Sequence, residues 1–239
     1  MHISYRDLYR LAGDVDELHH EQMKTFKEEA ADLHVDAART ARHRTSLAVP
    51  AAIGGAALVA LPFMSSRVAA QGLDDQTIAG YAQSIELAAV EAYKAAAPVL
   101  SAATLPVAQL FMSHHQQHAD AFGAVAGAKK ATGPNQKLVT ALGPTLAGIK
   151  DEMAALNFAF VLEGQAAYTY AAALTLLQDP AYAAATSTIL PIEAQHQVVL
   201  GLAVGKSVDD VFPTGGFEST KLGDGTDPIA GLDPAVFAG

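Results

Sequence analysis

Two pairs of side chains that can bind metals stand three residues apart within apolar stretches of this sequence. One pair is His115 and His118, in SHHQQHAD, and the other is Glu193 and His196, in PIEAQHQV. Three residues are close to one turn of an α-helix, so each pair would project two ligating groups from one side of a helix. Carboxylate and imidazole together suit Fe, Mn, Zn or Cu, so this spacing predicts a transition-metal site.

A carboxylate and a phenol recur seven residues apart on two other apolar stretches. Glu86 is followed by Tyr93 in IELAAVEAY, and Glu163 is followed by Tyr170 in VLEGQAAYTY. Seven residues are nearly two helical turns, so each tyrosine would share a face with its glutamate. The order along the chain is Glu-x6-Tyr, His-x2-His, Glu-x6-Tyr, Glu-x2-His, which is an internal repeat of two halves.

These motifs lie on four long segments with helical apolar periodicity, separated by Gly, Pro and Asp. The sequence predicts helices from about Asp74 to Pro98, Leu105 to Ala128, Ile149 to Gln178 and Pro180 to Gly205. No stretch alternates as strands do, so the predicted fold class is all-α, a four-helix bundle. The first and third connections are short and predict two antiparallel hairpins. The long connection between the second and third helices predicts a crossover.

Two hairpins related by a pseudo-twofold axis would place the repeated side chains around one point in the bundle core. Six groups would meet there: Glu86, His115, His118, Glu163, Glu193 and His196. Burying three carboxylates and three imidazoles is costly unless a cation joins them. The alternative is a metal-free core of side chains that hydrogen-bond to one another. Acidic residues eleven positions upstream repeat as well, with Asp75 before Glu86 and Glu152 before Glu163.

With this order of motifs, residues 73–206 resemble the ferritin-like superfamily of di-metal carboxylate bundles. The pattern of that superfamily is Glu-x6-Tyr, Glu-x2-His, Glu-x6-Tyr, Glu-x2-His, with a crossover between helices 2 and 3. The resemblance implies an Fe or Mn site with these ligands: Glu86, His118, Glu163, Glu193 and His196. It also implies that Tyr93 and Tyr170 lie behind the ligands, and that the chain is a metal-dependent oxidase or peroxidase acting on O2 or peroxide.

His115 departs from that pattern, because the superfamily has a glutamate at this position. A glutamate can bridge two metals through its two oxygens, whereas a neutral imidazole binds one metal through one nitrogen. Three carboxylates also leave an excess positive charge beside two divalent ions. The site would therefore hold two ions asymmetrically, a single ion or none. With none, the chain would be a non-catalytic bundle, a structural or accessory subunit of a membrane-associated assembly.

The sequence before the bundle predicts attachment to a membrane. Residues 45–66 carry no charge and are long enough for one span; arginines cluster before them and only Arg67 follows. The positive-inside rule then predicts a membrane-anchored protein with residues 1–44 in the cytoplasm and the bundle extracytoplasmic. The alternative is an export signal that is cleaved near Ala70, before secretion.

Residues 1–44 are rich in charge and predict a solvated helix. Through this helix the chain would form a homo-oligomer or bind a partner in a membrane complex. His19, His20 and His34 on this helix are assigned no site.

The net charge and the absence of cysteine exclude several classes of function. A net charge of −10 argues against nucleic acid as a partner, and the absence of Cys excludes disulfides and thiolate metal sites. Residues 207–239 are rich in Gly, Pro and Asp and predict an irregular tail.

Overall fold

The computed structural model describes residues 3–40, 74–207 and 211, with the side chains of residues 32–40 excluded. These ranges contain six α-helices and no strand: α1 Tyr5–Thr40, α2 Asp75–Ala96, α3 Leu105–Val125, α4 Gln136–Gly148, α5 Glu152–Ala173 and α6 Pro180–Ala203. Short 3-10 turns follow α2 at Ala97–Val99 and α3 at Gly127–Lys129. The all-α prediction is confirmed.

Aspartate side chains fix the starts of three bundle helices. Asp74, Asp151 and Asp179 accept hydrogen bonds from backbone N–H groups of the first turn, at 2.7, 2.8 and 2.9 Å. A carboxylate in this position satisfies a donor that the helix itself leaves unpaired. The helices α2, α5 and α6 therefore begin within a few residues of where the sequence places them.

The bundle consists of two helical hairpins. α2 packs against α3, and α5 packs against α6. Asp75 in the first turn of α2 accepts hydrogen bonds from the backbone N–H groups of Gln178 and Asp179, at 2.9 and 2.8 Å. Glu152 in the first turn of α5 accepts one from the Thr104 hydroxyl at 2.8 Å. Each hairpin thus forms hydrogen bonds with the loop of the other. These contacts explain why an acidic residue recurs eleven positions before Glu86 and before Glu163.

The N-terminal helix α1 lies on the bundle and packs against α6 and α3. Its buried residues recur at intervals of three or four and form one stripe: Leu8, Ala12, Val15, His19, Met23 and Phe26. That spacing is the signature of a helix with one apolar face. The sequence predicts a solvated helix, whereas one face of α1 is buried. The charged residues on the other faces make this apolar stripe hard to recognise in the sequence. The placement of residues 1–44 in the cytoplasm and of the bundle outside it stays a prediction, and the packing of α1 on the bundle argues against it.

The connection between the hairpins contains a helix that the sequence analysis does not predict. Asn135 caps α4 by accepting a hydrogen bond from the Leu138 N–H at 3.0 Å, and its own N–H donates to the Ser84 carbonyl at 2.8 Å. α4 packs against α2. Gly143 and Pro144 indicate a turn by sequence, but both lie within this helix.

No helix in the described part of the chain is both long and apolar enough to cross a membrane. The predicted span at 45–66, the cleavage point near Ala70 and the tail beyond Val211 lie outside the described residues.

Candidate metal centre

The structure brings the six predicted side chains together in the bundle core. They come from all four helices: Glu86 from α2, His115 and His118 from α3, Glu163 from α5, and Glu193 and His196 from α6. Glu86 is 2% exposed, and the other five residues are fully buried. The three-residue and seven-residue spacings therefore do place these groups on inward faces.

The six residues form two overlapping groups that could each hold a metal ion. One group is Glu86, His115, His118 and Glu193; the other is His115, Glu163, Glu193 and His196. Within each group, one ligand atom from every residue lies within 4.8 Å of the others. His115 and Glu193 belong to both groups. A neutral imidazole binds one ion, so Glu193 is the residue that a second ion would share with the first.

His115 lies between glutamates of different hairpins. Its Nδ1 is 2.7 Å from Oε2 of Glu86, and its Nε2 is 3.1 Å from Oε1 of Glu163. Burial opposes protonation of this ring, but the carboxylates of Glu163, Glu193 and Glu86 outweigh it and raise the His115 pKa well above its ordinary value. Without a metal, His115 is therefore an imidazolium that can donate a hydrogen bond to each side.

The carboxylates of Glu86 and Glu163 are held in the ionised form. Burial raises the pKa of Glu86, but His115 and His118 outweigh this effect and lower the pKa to about 2. Burial likewise opposes ionisation of Glu163, while His115 and His196 hold its pKa well below the ordinary value. The ionised carboxylate is the form that binds a metal ion.

His118 and Glu193 carry the atoms that best fit a bound cation. Nδ1 of His118 is 2.7 Å from Oε1 of Glu193. Despite this short distance, neither ring nitrogen of His118 and neither oxygen of Glu193 has an aligned hydrogen-bond partner among the described residues. The two side chains form an ion pair, but buried polar atoms without an aligned hydrogen bond are unfavourable, by about 1–3 kcal/mol each. Both side chains are ordinary ligands for Fe, Mn or Zn, so a cation would satisfy them.

The two predicted tyrosines each contact a carboxylate of the centre. The Tyr93 hydroxyl donates a hydrogen bond to Glu163, and the Tyr170 hydroxyl donates one to Glu86. Burial, reinforced by these carboxylates, raises the pKa of both phenols well above the ordinary value. Both tyrosines therefore remain protonated donors that orient the carboxylates.

Three further side chains lie beside the centre, and the sequence patterns assigned none of them to a site. His114 is fully buried; its Nδ1 is 2.9 Å from Nε2 of His196, and its Nε2 is 3.0 Å from Oδ1 of Asp16 on α1. The ring of His19 stacks on that of His114, with centroids 3.8 Å apart. Burial lowers the pKa of His19 to about 2 and that of His114 to about 3, so both rings are neutral. The signal in the sequence is Asp16-x2-His19, which has the spacing of the pairs on α3 and α6.

Comparison with known proteins places the bundle in a family. A family model for the ferritin-like domain matches residues 74–206, which are more than half of the chain and contain all four bundle helices. No curated protein and no solved structure matches the chain. The matched region holds both overlapping groups of buried glutamate and histidine. The chain therefore belongs to the ferritin-like domain family.

Proposed function

We propose that this protein binds Fe or Mn, as one or two ions, and reacts with O2 or peroxide at that centre. The observation that carries the proposal is the pair His118 and Glu193, whose buried ligand atoms have no aligned hydrogen-bond partner in the described residues. A side-chain network built only for hydrogen bonding would align these atoms with one another.

The residues of the centre would each have a definable task. Glu86 and His118 would hold one ion, Glu163 and His196 the other, and Glu193 would contact both. Bound iron or manganese would supply the change of oxidation state that O2 or peroxide chemistry requires. To bind an ion, the histidines must release their protons, since only neutral imidazole is a ligand.

Apolar side chains are buried in the bundle core around the centre, and one of them packs on a ligand. Phe111 stacks on the ring of His196, with centroids 4.1 Å apart, and Ile189 and Ile192 are fully buried. A largely apolar cavity of about 20 Å³ lies beside Tyr93 and is lined by side chains that include Leu8 of α1. Such a volume holds about one water molecule. None of the six ligand residues lines this cavity, so its size does not decide which substrate reaches the centre.

The second candidate is a non-catalytic structural bundle, and His115 favours it. Its ring contacts Glu86 and Glu163 from opposite nitrogens and so neutralises charge without a metal. Three imidazoles against three carboxylates could balance in this way throughout the core.

We also propose that residues 45–66 attach the protein to a membrane without crossing it, so that α1 and the bundle lie on the same side. The proposal rests on the uncharged sequence of that segment and on the packing of α1. Deleting residues 45–66 should move the protein from the membrane fraction to the soluble fraction. Retention in the membrane fraction would contradict it.

Metal content separates the two candidates. The full chain should be stripped with a chelator, loaded with Fe²⁺ or Mn²⁺ without oxygen, and assayed for bound metal by elemental analysis after dialysis. We expect the loaded centre to hold ions, and Glu193→Gln to lose them, because Glu193 belongs to both groups. Glu91→Gln is the control, since this half-exposed α2 carboxylate pairs with Lys94 outside the centre.

Oxygen reactivity is the second readout of the same preparation. Anaerobic Fe²⁺-loaded protein should consume O2 on mixing, and Glu193→Gln should consume no more than free Fe²⁺. Folded wild-type protein that retains no metal in its centre would establish the structural bundle instead. Glu193→Gln that binds as many ions as wild type, at wild-type affinity, would place the binding site elsewhere.

A further inference from the structure

We propose that Asp16, His19 and His114 form an additional site for a divalent transition-metal ion, between α1 and the bundle. The site uses none of the six residues of the centre. It goes beyond the proposed function, because it could be filled whether or not the centre binds metal.

The three side chains converge from two helices. Asp16 and His19 lie one turn apart on α1, and His114 faces them from α3. One ligand atom from each residue lies within 4.8 Å of the others. Ligands of one ion with bonds of about 2.2 Å lie at most roughly 4.4 Å apart. The rings of His19 and His114 stack with centroids 3.8 Å apart, so they would have to turn out of this stack for a nitrogen of each to face one ion.

His19 provides an independent indication of a ligand. It is fully buried, and neither of its ring nitrogens has a hydrogen-bond partner in the described residues. It is also the one polar member of the apolar stripe of α1, where an aliphatic residue would pack without leaving nitrogens unsatisfied. A bound metal ion is the partner that an imidazole in this position lacks.

The donor set defines the class of ion. Two imidazoles and one carboxylate suit first-row ions such as Zn²⁺, Fe²⁺, Mn²⁺ and Co²⁺, and three protein ligands leave positions for water. The side chain of Asp16 is 36% exposed, so an ion can reach the site from solvent. His114 also contacts His196 of the centre. The site therefore lies between the surface and the ligands of the bundle core.

Co²⁺ is the probe for the test, because its visible absorption reports bound ligands. Metal-free full-length protein should be titrated with Co²⁺, and the bound ions counted by equilibrium dialysis. We expect His19→Gln and Asp16→Asn each to bind one ion fewer than wild type, or to bind that ion at least ten-fold more weakly. Asp14→Asn is the control, because this α1 carboxylate is 62% exposed and pairs with Arg10 instead of the site, and it should equal wild type.

Two outcomes keep this site distinguishable from the centre. Glu193→Gln should lose the ions of the centre and retain one ion that His19→Gln removes, whereas a Glu193→Gln protein without any Co²⁺ would overturn the proposal. Equal ion counts and affinities in wild type and Asp16→Asn would overturn it as well. Asp16→Asn keeps the shape of a partly exposed side chain and should fold. It therefore tests the site if His19→Gln does not fold.

Discussion

The hydroxyl of Tyr93 donates a hydrogen bond to the carboxylate of Glu163, 70 residues further along the chain and on the other hairpin. The hydroxyl of Tyr170 makes the reciprocal bond to Glu86. The sequence presents each tyrosine beside its own glutamate, yet each one serves the glutamate of the opposite half. The two bonds therefore link the docking of the hairpins to the orientation of the carboxylates.

Removing either hydroxyl should weaken the protein by a similar amount. Tyr93→Phe and Tyr170→Phe each delete a buried hydrogen bond to a charged group, so we expect a loss of about 1.5–3 kcal/mol in the free energy of unfolding. Metal affinity should fall about 10–100-fold, because the carboxylates lose their orienting donors. Denaturant titration and metal titration measure the two effects.

Tyr9→Phe on the exposed face of α1 is the control for both tyrosine variants and should behave as wild type. If one of the two core variants cost nothing, the reciprocal arrangement would not contribute to stability.

Replacing His115 by glutamate should lower the stability of the metal-free protein and strengthen metal binding. In the metal-free protein, the change removes the imidazolium between Glu86 and Glu163 and leaves four carboxylates together. We expect a loss of about 3–5 kcal/mol in the free energy of unfolding. Four carboxylates neutralise two divalent ions, so added Mn²⁺ should raise the thermal midpoint of His115→Glu more than that of wild type.

His115→Gln separates the two effects of that substitution. It also removes the imidazolium, so it should be destabilised without metal, but it adds no carboxylate and should gain less from Mn²⁺. A smaller Mn²⁺-induced shift in His115→Glu than in wild type would contradict the argument.

The stability of the metal-free protein should peak near pH 6.5. Burial opposes protonation of His115, His118 and His196, but the neighbouring glutamates outweigh it and raise their pKa values, that of His118 to about 9. For His118, this stabilisation is complete below the unfolded value of 6.5 and is lost as the pH rises through 9. The raised pKa values of His115 and His196 act in the same direction. The lowered pKa values of His19 and His114 act in the opposite direction. Their contribution is present above pH 6.5 and declines as the pH falls toward 3.

Thermal unfolding of chelator-treated protein across this range measures the effect. We expect lower midpoints at pH 9 and at about pH 5 than near pH 6.5. Metal-loaded protein should lose the alkaline decline, because bound ions take the place of the released protons. A metal-free midpoint that rises from pH 6.5 to 9 would contradict the raised histidine pKa values.

Truncating Phe26 tests whether α1 is part of the folded unit. This ring is 1% exposed and packs edge-on against Phe122 of α3, with centroids 5.9 Å apart. Phe26→Ala should therefore cost about 3–5 kcal/mol in the free energy of unfolding, measured in denaturant. Tyr9→Ala truncates a ring that is 44% exposed on the same helix and should cost far less. Equal effects would show that α1 does not pack as described.

The parts of the site that follow from residue spacing along a helix could be predicted from the sequence. Steps of three and seven residues mark one face of a helix, so Glu86, His118, Glu163 and His196 could be placed in the core before any coordinates. His19 could not be placed in this way, since the density of charge on α1 hides a stripe that only packing makes visible. The Gly143–Pro144 pair was equally misleading, because packing of α4 on α2 outweighs the weak helix propensity of these residues.

The contacts that Asp75 and Glu152 make with opposite loops have a consequence for how the halves of the molecule depend on each other. Neither half alone can satisfy its own loop, whereas two copies of one half, related by a two-fold axis, would supply each other. The bundle thus carries inside a single polypeptide the self-complementary contact of a symmetric dimer. Expressed separately, its halves should assemble in pairs before either becomes ordered.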